Sequence, residues 1–215
     1  MNDIILIGAG GFALDVLWLI ERINTQLPTW NVIGFADDTF AQGTIVNGLP
    51  VLGNIEWLFE QKGIYAFCAI GSAKGRKSVV ERLSGCVRFA TLIDPSVMYC
   101  KSIPIGEGSV LCAGTIIATR SVYIGTHVLV DLDCKIEHGT VLRDFCTLYP
   151  SVNVSGNVTL CSCVELGASS VVLPNLSIGE NTIVGAGAIV TKNLPQNCTA
   201  VGVPARPIRL SHRPP

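Results

Sequence analysis

Three histidines, His127, His138 and His212, are the only side chains in this 215-residue chain that serve as ordinary bases near neutral pH. His212 lies in the tail Ser211-His212-Arg213-Pro214-Pro215, which leaves two. His138 stands in Ile136-Glu137-His138-Gly139, with carboxylates at Asp131, Asp133 and Glu137 flanking it in sequence. Gly156 follows 18 residues later, so no side chain is expected over the imidazole and a substrate would have room there. His127, in Ile124-Gly125-Thr126-His127, has no comparable acidic cluster and reads as a surface residue. An imidazole among carboxylates suits general-base chemistry, and the same residues read equally as polar positions at a subunit contact.

A second constellation opens the chain. Ile4-Ile5-Leu6-Ile7 is a buried-strand run that ends in Gly8-Ala9-Gly10-Gly11-Phe12-Ala13, and an amphipathic stretch follows from Leu14 to Ile23. Strand, glycine turn and helix together offer a phosphate close backbone approach, unpaired N–H groups and a positive dipole end. Asn31-Val32-Ile33-Gly34-Phe35 then runs into Asp37-Asp38, and Tyr65-Ala66-Phe67-Cys68-Ala69-Ile70 into Gly71-Ser72. The glycine turn and acidic pair match a dinucleotide fingerprint with Ala in last place, so a nicotinamide or flavin oxidoreductase is one reading. Against it, residues 1–90 are expected to hold three or four strands, about half of a doubly wound sheet. A plain tight turn beside a solvated acidic loop is the bland alternative.

Metal chemistry is disfavoured. Cys161 and Cys163 are close, but the residues one 18-residue step away are Arg143, Phe145, Gly179 and Asn181, none of them a good zinc ligand. The nine cysteines lack framework spacing and read as small buried residues of a reducing compartment rather than as disulfides.

The element that must carry His138 is a repeat. From Leu92 an aliphatic residue opens every six-residue unit: Leu92, Met98, Ile105, Leu111, Ile117 and Ile124, then every sixth residue from Val130 to Val184. These sixteen hexads are interrupted only by extra residues at Pro104 and Tyr123. The fifth position is small or β-branched, as in Ser96, Thr115, Ser121, Cys134, Thr140, Cys146, Val152, Ser170 and Ala188, with Leu176 the main exception. Such a period predicts a parallel β-helix with both positions pointing inward. Three hexads make one coil, so about five coils stack at roughly 4.8 Å into a prism about 25 Å tall. The outer faces carry few charges and are expected to bury against other subunits.

Composition bounds the rest. Charged residues make up 14% of the chain and hydrophobic ones 49%, against about 25% charged in typical soluble proteins. With 15 Lys and Arg against 16 Asp and Glu, the basic excess of a nucleic-acid binder is missing. No run reaches the roughly 18 apolar residues of a membrane helix, and Met1-Asn2-Asp3 is not a basic signal region, so no membrane insertion and a cytoplasmic location are expected. The division expected is 1–90, 91–190 and a closing segment 191–215.

Taken together, the chain resembles the bacterial left-handed β-helix acyltransferases that acetylate nucleotide-linked amino sugars, relatives of sialic-acid O-acetyltransferases. The resemblance is carried by Gly8 to Ala13, Asp37-Asp38, Ala69-Ile70-Gly71, Ile136-Glu137-His138, Val171-Val172-Leu173-Pro174-Asn175 and Val201-Gly202-Val203-Pro204-Ala205-Arg206. It implies a small Rossmann-like α/β domain that binds the nucleotide sugar through Gly10, Gly11, Phe12, Asp37, Asp38, Gly71 and Ser72, followed by the left-handed β-helix. It implies a homotrimer with active sites between adjacent prisms, acetyl-CoA as acyl donor, and no metal. His138 would be the general base, Asp131 would line the acceptor pocket, and Thr147, Gly156, Ala168 and Ala186 would meet the coenzyme. Three residues depart from the family's pattern: Gly139 stands where relatives have a carboxylate beside the histidine, so Glu137 or a neighbouring Asp must substitute or catalysis is weakened, and Thr147 and Phe12 stand where relatives often have histidines. The expected activity is N-acetylation of a nucleotide-linked amino-deoxy sugar, most simply at a 4-amino group. O-acetylation of a sugar hydroxyl and an inactive sugar-nucleotide-binding trimer are the competing readings.

Overall fold

The structure is a computed structural model that describes residues 1–210; His212 and the rest of the tail lie outside the described residues. The chain divides into two compact units, Met1–Pro95 and a second that begins at Ser96.

The first unit is an α/β layer. Its elements run β1 (Asn2–Ile7), α1 (Gly11–Gln26), β2 (Trp30–Ala36), β3 (Ile45–Val46), β4 (Leu49–Gly53), a 3-10 turn (Ile55–Glu60), β5 (Tyr65–Cys68), α2 (Ala73–Arg82) and β6 (Arg88–Phe89). The sheet order is β3-β4-β2-β1-β5-β6, parallel throughout except for the β3–β4 hairpin. Six strands thus replace the three or four expected. The additional ones are short: the hairpin closes on Asn47 and Gly48, both at positive φ (46° and 80°), as a tight two-residue turn requires. Ile4, Ile5, Leu6 and Ile7 have no exposed surface, as befits a central strand covered on both faces. α1 buries Ala13, Val16, Leu17 and Ile20, a 3.6-residue stripe, and starts three residues earlier than the apolar pattern suggested because the glycine turn itself enters the helix. Successive connections from β1 go to β2 on one side and, later, to β5 on the other, so the carboxyl end of β1 is where strand order reverses, the usual ligand crevice of such sheets.

The second unit is the parallel β-helix. Two-residue strands pair with strands one coil away: Ile124 with Leu142, Leu142 with Leu160, Leu160 with Ile178, and likewise along the other two faces. Every hexad-opening residue from Leu111 to Val184 is at most 4% exposed. Burying each such aliphatic side chain contributes about 1.5–3 kcal/mol. The corners obey an equally strict rule. The fourth hexad position takes a left-handed backbone at Gly108, Gly114, His127, Asp133, Gly139, Phe145, Ser151, Asn157, Cys163, Ser169, Asn175, Asn181 and Gly187. Stacked corner amides add a ladder, with Asn157 donating to Asn175 at 3.1 Å and Asn181 to Asn197 at 3.2 Å.

Three positions break the expected pattern. Met98 is 64% exposed and pairs with Ile116 rather than Ile117, so the hexad frame is not yet in register there. Ser96 and Ser121 are exposed. At the second site Val122 takes the inward place, because the extra residue widens the corner at Thr119-Arg120-Ser121 instead of preceding the next strand. The prism closes with Cys198–Val201, which pairs with the strand Ile183–Val184, and an antiparallel return, Arg206–Leu210. Among the described residues no helix is long and apolar enough to cross a membrane.

Candidate active site

At the carboxyl ends of β1, β2 and β5 lies a cavity of about 360 Å³, lined by Gly8, Gly10, Gly11, Phe12, Asp37, Asp38, Thr39, Ile55, Ala69, Ile70 and Gly71. Six of the seven residues expected to hold the nucleotide sugar meet here. The seventh, Ser72, does not line the cavity; its hydroxyl caps α2 by accepting from the Gly75 N–H at 3.3 Å. Gly10, Gly11 and Gly71 have neither a positive φ nor any atom within 4 Å of where a Cβ would stand. Neither backbone nor packing demands glycine at these three positions, so the open space belongs to the cavity. Gly8 is different, since its φ of 95° is a backbone requirement. The helix α1 begins at this opening with Gly10 as cap, no side-chain cap bond and no acidic residue in its first turn, an arrangement suited to an anion.

The acidic pair divides its work. Asp37 accepts from the Ala9 N–H at 2.8 Å and from Thr39 through N–H and hydroxyl at 2.7 and 2.5 Å, strapping the glycine turn to the end of β2. Burial pushes the Asp37 carboxyl up, but the Thr39, Ala9 and Phe40 hydrogen bonds outweigh it and hold the group below the usual carboxylate range. Asp38 accepts from the Ile55 N–H at 2.9 Å and pairs with Arg82 at 3.2 Å.

In the second unit, His138 is exposed at a prism corner and its ring lies directly over Gly156. A Cβ at position 156 would stand 2.5 Å from the imidazole Cε1. The space that Gly156 leaves open is therefore filled by the histidine itself rather than kept for a substrate. Glu137 braces this corner by accepting from the Gly156 N–H at 3.0 Å, and the Gly139 N–H donates to Ser121 Oγ at 3.0 Å. Gly139, at φ 69°, occupies a left-handed corner where glycine is the least strained residue, and a Cβ there would meet Asn157 Oδ1 at 2.1 Å. The expected flanking by Asp131 and Asp133 is not found: both sit at the preceding corner, beyond the strand Lys135–Ile136, where Asp133 binds Lys135 at 2.8 Å and Asp131 accepts from the Leu132 N–H at 2.7 Å.

Two further expectations are corrected. His127 is buried, 6% exposed, because its left-handed corner lays the ring against Gly108 and stacks it on Phe145 at 5.2 Å. Thr147, expected at the coenzyme, is fully buried between Leu129 and Glu165 in the coil stack, so its side chain faces no ligand surface. Ala168 and Ala186 lie one coil apart at one corner, with the Gly187 N–H donating to the Ala168 carbonyl at 2.8 Å, whereas Gly156 shares the corner of His138. One chain thus brings together His138, Glu137 and Gly156, and separately Ala168 and Ala186. Among the described residues no group of three or more His, Cys, Asp or Glu is placed to hold a metal ion. Sequence reasoning missed Thr39 and Arg76, a 2% exposed arginine that donates to the carbonyls of Ile70 and Gly71 at 2.8 and 2.9 Å.

Comparison with known proteins follows this division. The family model of the PglD N-terminal domain matches residues 3–83, and that of the hexapeptide repeat of succinyl-transferase matches 96–118 and 164–192. The structure of a single-histidine variant of perosamine N-acetyltransferase from Caulobacter crescentus, in complex with CoA and GDP-perosamine, superposes with a TM-score of 0.88 at 28% identity, covering 97% of this chain and 98% of that one. The acetyltransferase domain of PglB from Neisseria gonorrhoeae, in complex with acetyl coenzyme A, gives 0.88 at 26% identity over 97% and 100%. Galactoside O-acetyltransferase of Escherichia coli is 31% identical over 142 residues, which are 62% of this chain and 68% of that protein. Serine acetyltransferase of Synechococcus elongatus is 34% identical over 95 residues, 40% of this chain and 39% of that protein. The chain therefore spans well under half of the serine acetyltransferase it matches. With an amino-terminal unit of the PglD type, a hexapeptide prism and these relatives, the chain belongs to the hexapeptide-repeat sugar acyltransferase family.

Proposed function

We propose that the protein transfers an acetyl group from acetyl-CoA to the amino group of a nucleotide-linked amino-deoxy sugar, most simply a 4-amino sugar. The observation that carries this reading is end-to-end likeness, 97% of the chain at a TM-score of 0.88, to an N-acetyltransferase solved with both CoA and GDP-perosamine. The cavity at the glycine turn supports it, since it offers a helix amino terminus to a diphosphate and open backbone at three glycines.

In this reading His138 accepts a proton from the sugar amine as the nitrogen attacks the thioester carbonyl. The new C–N bond forms, the C–S bond breaks, and the imidazolium returns the proton to the leaving CoA thiolate. Gly156 gives the ring its place at this corner, and Glu137 braces the corner through the Gly156 N–H. The corner of Ala168 and Ala186 lies elsewhere on the same prism, so a groove that uses both corners draws them from two chains. This favours a homotrimer with sites between neighbouring prisms.

The test is consumption of thioester. Acetyl-CoA should be consumed only when a nucleotide-linked amino sugar is also present. Binding of the nucleotide sugar without consumption, across GDP-, UDP- and dTDP-linked amines, would replace this reading with that of a binding trimer. The likeness to galactoside O-acetyltransferase keeps hydroxyl acceptors as a second reading, to be run beside the amines. A hydroxyl needs more help from the base than an amine does, and Gly139 supplies no carboxylate for it.

A further inference from the structure

Arg76 is the largest fully buried side chain among the described residues, and it is a cation. Its place is costly on two counts: desolvation of the guanidinium, and a position in the first two turns of α2, where the helix dipole already presents positive charge. Its Nη1 donates to the carbonyls of Ile70 and Gly71. Both residues line the cavity at the glycine turn. Because the guanidinium is buried, these two carbonyl oxygens point into the protein and not into the cavity. Ile70 also packs against the other side of the opening, since a Cβ at Gly8 or at Gly75 would each stand 3.2 Å from its side chain. Fixing Ile70 thus fixes the spacing between the glycine turn and the start of α2. Beneath the loop, burial pushes the Cys68 thiol up to about 12 while the Arg76 charge pulls it the other way.

We propose that Arg76 is a positioning residue for diphosphate recognition: it turns the Ile70 and Gly71 carbonyls away from the cavity. Released, those two carbonyls would face an anion and repel it. Held by Arg76, the loop turns neither carbonyl oxygen toward the ligand. The inference rests on the reading that this cavity holds the diphosphate of the nucleotide sugar.

The experiment compares wild type with Arg76→Met and Arg76→Lys by calorimetric titration with GDP, UDP, dTDP and their monophosphates, with acetyl-CoA as a reference ligand. Arg76→Met should weaken the best-bound diphosphate about tenfold and its monophosphate distinctly less, while acetyl-CoA affinity stays within about twofold. Arg76→Lys, which keeps the charge, should recover part of the loss. A purely structural role would weaken diphosphate, monophosphate and acetyl-CoA by similar factors, and that outcome overturns the proposal. So does an unchanged diphosphate affinity in Arg76→Met. If Arg76→Met does not fold, Arg76→Lys decides alone: a selective loss of diphosphate affinity of about threefold or more supports the role, and none removes it. Failure of wild type to bind any of the three diphosphates would instead refute the assignment of the cavity.

Discussion

His138 and Gly156 act as one unit. The sequence showed a histidine with glycine one coil later, but not which of them used the space; coil-to-coil register answers that, since the ring stacks on the glycine. Replacing His138 with Ala should lower turnover by about two to four orders of magnitude, with nucleotide-sugar binding retained, if it moves the proton as proposed. Gly156→Ala should displace the imidazole and cost turnover about tenfold or more while the thermal midpoint moves little. Unchanged turnover in that variant would mean the ring position is irrelevant. Asp37 carries a different prediction. Its carboxyl is held below the usual range in the folded state, so its stabilisation is fully present above the ordinary carboxylate pKa near ~4 and is lost as pH falls through the lowered native value. Asp37→Asn should therefore lower the thermal midpoint at neutral pH and narrow the gap to wild type in acid. A constant gap at every pH would contradict this. Arg76 was not legible at this scale, because an arginine beside Lys74 and Lys77 in a polar helix looks solvated until the loop carbonyls it serves are in place.

At the level of elements, the hexad count was legible because an inward aliphatic residue is required at every strand, and no other fold imposes that period. Its errors fall where the period is ambiguous. Val122 and Ile124 are both apolar and both buried, so the position of the extra residue at that corner could not be read from hydrophobicity. His127 illustrates a missed signal: histidine is among the residues tolerated at left-handed corners, and Phe145 stands 18 residues later, one coil on. The Asn47-Gly48 hairpin was likewise written in the sequence and overlooked between longer strands. Corner chemistry can be tested at Asn157, whose φ is 58°. Asn157→Val should destabilise the prism by about 1–3 kcal/mol in urea unfolding, with Asn157→Gly costing much less. Equal stability of the two variants would show that the left-handed corner imposes no constraint.

For the whole molecule, the division of residues among corners leads to an assembly prediction. Two inactive variants, His138→Ala and Ala186→Trp, each damage one corner. If the site is built from two chains, mixing and refolding them together should restore about a quarter of the wild-type sites, where both intact corners meet by random assortment. No recovery would mean that each chain supplies its own site. If the cavity holds the nucleotide sugar as proposed, which sugar and which nucleotide are used was not legible in the sequence, because the choice then depends on how Phe12, Ile55 and Asp38 shape that cavity rather than on any motif. The central claim is transfer of an acetyl group to nitrogen on a nucleotide-linked sugar. The most direct measurement is tandem mass spectrometry of the products formed from acetyl-CoA and a panel of nucleotide-linked amino and neutral sugars. The account predicts a single acetyl group located by fragmentation on the sugar amine. An acetyl group on a hydroxyl, or no transfer to any amine that binds, would contradict it.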